Sequence, residues 1–331
     1  MRYKFSDLYY DDTKNAKKLK SSEYKNIGKY IIVDQGKSLI AGYTDNEDGL
    51  YTDVPVIIFG DHTRNIKYIN SPFFLGADGT KVLKSSLKNA NYKYLYYLLK
   101  NASIPDTGYN RHYKWLKELM FEYHSQEQQN QIVTILDKLD LTISKYREEL
   151  LLLDELVKAR FVEMFGDPIY NTQNRPMTEF INVVKMQRGY DLPVQDRNHE
   201  GSIPVYGANG VLGYHDVAKI NNGGIITGRS GTIGKVYLAN KEYWPLNTSL
   251  FSIETYGNNL IYLQYLVTLY DLKRFVEGTG VPTLNRNMFH NKKIIEVPIN
   301  EQNTFASFVE EVDKSRLLSN HSLFLIKSIT F

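Results

Sequence analysis

The sequence contains no cysteine, which excludes disulfide frameworks, thiol nucleophiles and cysteine-ligated zinc sites together. Its seven histidines form no HxxxH or similar pair, an argument against a histidine-built metal site. No run of about 18 apolar residues occurs. The opening Met1-Arg2-Tyr3-Lys4-Phe5-Ser6-Asp7 has no apolar signal region. The expected location is therefore the cytoplasm, with no membrane partner. Charge of one sign is scarce too: a net +3 is only mildly basic, so composition alone does not announce a nucleic-acid partner.

What is present is enough to fold. A chain of 331 residues, 42% hydrophobic and 23% charged, matches ordinary globular composition and suits two domains without staples. Its 26 tyrosines fit either aromatic cores or surfaces that are partly apolar and partly hydrogen bonding.

The sequence repeats itself. Ile132, Leu136, Leu139, Ile143, Tyr146, Leu150, Leu153 and Val157 alternate steps of four and three, the seam of a heptad coiled coil. A helix from Gln126 to Phe165 would be about 60 Å long. The spacing recurs at Phe305, Val309, Val312, Arg316, Ser319, Leu323, Ile326 and Thr330, with Arg316 and Ser319 as polar interruptions. Each seam opens on a glutamine-rich turn, with Ser125 and Asn300 as expected N-caps. Upstream, Gly42-Tyr43 matches Gly213-Tyr214, and the strand-then-turn run Val56 to Gly60 matches Gly224 to Gly228. Helix-length Tyr94 to Leu98 matches Tyr262 to Leu266, and Ile104 to Gly108 faces Val281 to Asn285. With a short strand-like stretch leading each half into its long helix, these make five matches in one order and predict an α/β (α+β) protein with a pseudo-twofold repeat. Two similar globular domains, 1–124 and 167–299, alternate with long helices at 125–166 and 300–331, paired as an antiparallel coiled coil. The competing expectation is that the amphipathic helices line a domain core.

Catalytic motifs are near misses. Asp167-Pro168-Ile169-Tyr170 lacks the second proline of an amino-methyltransferase loop and reads better as a helix-ending linker. Pro105-Asp106 has no following acid-x-lysine to complete a nuclease motif. Gly228-Arg229-Ser230-Gly231-Thr232-Ile233-Gly234-Lys235 fails the phosphate-loop spacing, because Arg229 stands where glycine is needed and Val236 follows the lysine. It offers donors for phosphates and base edges, or else is a glycine-rich hairpin turn.

Two globular halves, each followed by a long helix, resemble the specificity subunit of type I restriction-modification systems. The residues carrying the likeness are Ile203 to Gly210, Gly228 to Val236, Gly280 to Asn285, Val297-Pro298-Ile299 and Glu301-Gln302, in the family's order. The resemblance implies two target recognition domains reading a bipartite asymmetric DNA site, with the helices as spacer. It also implies a subunit without chemistry of its own, docked to two methyltransferase (modification) subunits and, in the full complex, to restriction/translocase subunits. S-adenosylmethionine, ATP and Mg are then expected only on those partners. A stand-alone DNA-binding or assembly module is the alternative, and a self-contained methyltransferase or nuclease a third.

Expected DNA contacts are Arg229, Ser230, Thr232 and Lys235 in the second half and Lys37, Thr63, Arg64 and Lys67 in the first. Asn209, Lys219 and Arg286 join them, since asparagine suits adenine and arginine suits guanine or phosphate. Surface charge serving solubility is the plain alternative. The first half carries Asp61-His62-Thr63-Arg64-Asn65-Ile66-Lys67 where the second has Arg229 and its glycines, so the two halves should prefer different bases.

Overall fold

A computed structural model describes residues 1–76, 78–198, 200–277 and 282–330, the last four by backbone only. Gly280 and Val281 of the family-like run, the side chain at Thr330 and Phe331 lie outside the described residues. The chain forms two compact units, one from Met1–Ser144 with the chain end from Ile326, the other from Lys145–Leu325.

The first unit is built on a sheet in the order Tyr9–Asp11, Thr80–Ser85, Val56–Gly60, Ile66–Ile69. A second sheet runs Gly42–Thr44, Tyr30–Val33, Phe73–Leu75, its last pair parallel. Arg2–Lys4 pairs with Met120–Glu122, the short strand leading into the long helix. Val56–Gly60 is buried at every position, as its unbroken apolar run requires of a strand covered on both faces. Helix Tyr92–Lys100 starts where the Asn91 side chain accepts the Tyr94 N–H, an N-cap.

The second unit repeats this plan strand for strand. Its sheets run Lys185–Arg188, Ser249–Glu254, Gly224–Gly228, Val236–Ala239 and Gly210–His215, Ile203–Gly207, Trp244–Pro245. The pair between Ile203–Gly207 and Trp244–Pro245 is again parallel, and Met177–Glu179 pairs with Lys293–Ile295. Helix Leu260–Tyr270 is again capped by an asparagine, Asn259. Among the described residues, the two-stranded ribbon Val276–Glu277 with Thr283–Leu284 has no strand pair matching it in the first unit.

The long helices span Gln126–Phe165 and Ile299–Thr330. On the first, every expected seam residue is shielded at least in part, while Ile135, Leu141, Leu151, Leu152 and Leu156 face outward. Its opening turns belong to the first unit, where Asp137 receives Lys93 and Tyr97 and Asp140 receives Lys100 from helix Tyr92–Lys100. Its closing turns belong to the second unit, where Val157, Phe161 and Phe165 enter the core with Phe305, Val309 and Val312. Phe165 meets Phe305 while Leu153 and Asp154 meet Arg316, so within this unit the helices run antiparallel. Leu323 is buried and Ile326 half-buried, continuing the second seam.

Both helix starts are fixed by polar contacts. Ser125 caps the first, its Oγ accepting the Gln128 N–H while Gln128 Oε1 accepts the Ser125 N–H, a reciprocal capping box. The expected cap Asn300 is corrected: it lies inside the second helix, which starts after Pro298, whose carbonyl accepts the Glu301 and Gln302 N–H groups. Proline suits a helix entrance because its missing N–H would have no helical partner there. Gly166, at φ +79°, ends the first helix in the left-handed conformation, and Asp167 Oδ1 accepts the Ile169 and Tyr170 N–H groups in the turn that follows.

Candidate DNA-reading faces

In the second unit, strand Gly224–Gly228 delivers its chain into the loop 229–235. Gly228 is obligatory there, because a Cβ would lie 1.7 Å from the Thr232 carbonyl oxygen and 3.0 Å from that of Ala208. The Arg229 and Ser230 N–H groups both donate to the Thr248 carbonyl, at 2.9 and 3.2 Å, and Arg229 Nε donates to the Asn247 carbonyl at 3.1 Å. Leu284 N–H donates to the Arg229 carbonyl at 2.8 Å and Gly231 N–H to that of Pro282 at 3.2 Å. The loop's far end is tied by Thr227 Oγ1 donating to the Lys235 carbonyl, with Ile233 buried beneath. The backbone is thus held by neighbours on three sides, while Thr232 and Lys235 point out and Arg229 and Ser230 are half-buried.

Asn209 joins this face. It sits at the tip of the hairpin closed by Gly207 and Gly210, and its Oδ1 accepts Lys235 Nζ and the Tyr237 hydroxyl, both at 3.4 Å. Arg286 follows closely on Leu284, in the turn Arg286–Met288 capped by Asn285. Lys219 is not drawn in: its ammonium lies over the rings of Tyr190 and Trp244, 4.9 and 5.7 Å from their centroids. Among the described residues no carboxylate lies within ion-pair distance of Arg229, Lys235 or Arg286, which leaves their charge available to a phosphate or a base.

The first unit places a different set at the same strand end. After Val56–Gly60 the chain turns through Arg64, at φ +60°, whose N–H donates to the Gly60 carbonyl. Arg64 Nη2 pairs with Asp106 at 2.6 Å, and Nη1 donates to the Ile104 carbonyl. The Gly108 N–H and the Arg64 guanidinium hold the Asp106 carboxyl below the usual carboxylate range. Thr63 Oγ1 and Asn65 Nδ2 both donate to the Gln35 carbonyl. Lys67 is corrected as a contact: it is 5% exposed, and its ammonium donates to the Asp34 carbonyl at 2.7 Å. Burial pulls its pKa down, with Asp34 opposing. Lys37 stands exposed in the bend after Tyr30–Val33.

Several residues of these faces carry no sequence signal. Asn247 and Thr248 act through backbone carbonyls, which any residue supplies. His62 and Tyr109 meet as stacked rings 4.9 Å apart across 47 positions of chain. Among the described residues no cluster of histidine, aspartate and glutamate is arranged to hold a metal, and no helix is long and apolar enough to cross a membrane.

Residues 171–326 match the family model described as the type I restriction modification DNA specificity domain. Among solved structures, the type I restriction-modification system S subunit from M. genitalium is similar at a TM-score of 0.65 and 16% identity, over 100% of this chain and 93% of that one. A structure described as the basis of complex assembly and conformational transition of the type I R-M system is similar at a TM-score of 0.50 and 12% identity, over 100% and 95%. These identities carry a likeness of fold. No curated protein matches.

Proposed function

We propose, from the match of residues 171–326 to the type I restriction modification DNA specificity domain, that the whole chain is a non-catalytic specificity subunit reading a bipartite asymmetric DNA target. Each unit reads one part, and the two long helices fix the gap of unread bases between them. The observation that carries this is the doubled sheet order ending in loops of different chemistry: 61–67 in one unit, 229–235 in the other. A shared framework with unlike polar loops suits two readers of unlike sequences. The outward leucines of the helices offer a surface to two methyltransferase subunits, which would bring S-adenosylmethionine. Restriction and translocase subunits would bring ATP and Mg, and the assembly would work in the cytoplasm.

Sequencing the methylated bases of a host that expresses the chain with its methyltransferase subunits tests the proposal. An asymmetric motif in two parts with a fixed gap is expected; no new methylation, or a palindromic motif, overturns it. The mild net charge of +3 adds a second test. The chain alone should bind DNA weakly and gain affinity with its partners, and equal salt-sensitive affinity in both cases would support a stand-alone module.

A further inference from the structure

We infer that in the first unit the DNA contact is made by Tyr109 seated on His62, and that Arg64 is a positioning residue for this pair; the inference rests on the proposed reading of a two-part target. Of the side chains expected to face DNA here, Lys37 stands exposed, while Thr63, Arg64 and Lys67 are already engaged within the protein. Thr63 and Asn65 are spent on the Gln35 carbonyl and Lys67 on Asp34. Arg64 is spent on Asp106 and Ile104. A guanidinium neutralised at 2.6 Å has little charge left for a phosphate.

Besides Lys37, what projects is aromatic. Tyr109 is 89% exposed, and its ring lies on the imidazole of His62 at an interplanar angle of 11°. Its hydroxyl has no hydrogen bond among the described residues, and His62 Nδ1 is buried without a partner. Exposed side chains are ordinarily free to move; this one is carried by a segment fixed at both ends. On one side Arg64 holds Ile104 and Asp106, and Asp106 in turn accepts the Gly108 N–H at 3.0 Å. On the other, fully buried His112 donates its N–H to the Asp61 carbonyl at 2.8 Å, and Asp61 Oδ1 accepts the Tyr113 N–H at 2.7 Å. Gly108, at φ +74°, makes the turn between the anchors. A planar ring with a free hydroxyl, stiffened from below by a second ring, suits a base edge or a thymine methyl in a groove. Among the described residues the second unit offers three cations without ion pairs, Arg229, Lys235 and Arg286, where the first has Lys37 beside the aromatic pair, so the two faces differ in balance.

The test uses the chain assembled with its methyltransferase subunits, reading both the methylated motif and the slope of log affinity against log salt. Tyr109→Ala should cut discrimination in one half of the motif by about tenfold with the slope unchanged, as loss of an uncharged base contact requires. Arg64→Ala and Asp106→Asn should each give the same loss, and the double variant no more than either, because both act through the 104–110 segment. Arg229→Ala should instead relax the other half and flatten the slope. Wild-type discrimination in Tyr109→Ala overturns the inference. So does a slope lowered by about 1 in Arg64→Ala, the signature of a phosphate contact, or a tighter and steeper complex in Asp106→Asn. If wild type shows no two-part motif, the proposed function falls and the inference with it; if only the Arg229 half responds, the inference alone falls.

Discussion

Arg316 of the second long helix reaches Asp154 of the first at 2.7 Å, with Asp313 at 2.5 Å on its other side. It occupies a seam position, so one of the two polar interruptions of the heptads is a cross-helix ion pair. Its arginine is 19% exposed and its aspartate 57%. Arg316→Ala should cost about 1–2 kcal/mol by losing both packing and pairing. Arg316→Leu should recover most of this by restoring an apolar seam. Urea unfolding of the three proteins checks it; a leucine variant as unstable as the alanine would show that the pair, not packing, holds the helices.

The loop 229–235 depends on a missing side chain. Gly228→Ala must displace the Thr232 carbonyl, and an expected loss of about 2 kcal/mol or more accompanies failure to read one half of the target. Gly231→Ala meets open space and pays only for its φ of +87°, about 1–2 kcal/mol. Parallel unfolding and methylation assays on both variants separate a clash from a conformational penalty; equal damage would contradict the geometry.

Gln302 is 1% exposed and satisfied on both ends of its amide: Nε2 donates to Asn258 Oδ1 and the Val297 carbonyl, and Oε1 accepts the Asn259 N–H. Its counterpart Gln129 donates to the His124 carbonyl but leaves Oε1 without a partner. Gln302→Ala should therefore cost about 1–3 kcal/mol, more than Gln129→Ala, because it strands the buried Val297 carbonyl and the part-buried Asn259 N–H. Comparing the two midpoints in one denaturant series measures the difference.

His290 should make stability fall with acid. Burial first, then Arg286 and Lys185, lower its pKa from 6.5 to about 4, and its neutral Nε2 accepts the Met186 N–H at 3.2 Å. Between those pH values the unfolded chain binds a proton that the folded chain refuses. The contribution is therefore present above pH 6.5 and lost as pH falls toward 4. His290→Gln keeps an acceptor without the titration and should show a shallower decline over that window. Identical unfolding profiles would assign the decline to other groups.

The doubled architecture was legible because its signals are periodic and local: heptads, apolar runs and glycines recur whatever the loops do. Arg316 read as a weakness of the seam because periodicity is blind to its partner Asp154. Lys67 read as a surface cation, although its strand turns it toward Asp34, a residue that spacing does not single out. Asn300 had the chemistry of a cap, but Pro298 opened the helix sooner. Tyr109, one of 26 tyrosines, gains significance only from the His62 ring beneath it.

The loops 61–67 and 229–235 leave from equivalent buried strands, Val56–Gly60 and Gly224–Gly228, and both leave after a glycine. On the proposed reading, a loop segment exchanged between the halves just after these glycines would carry its base preference with it, because the strands that flank it pair in the same order in both units.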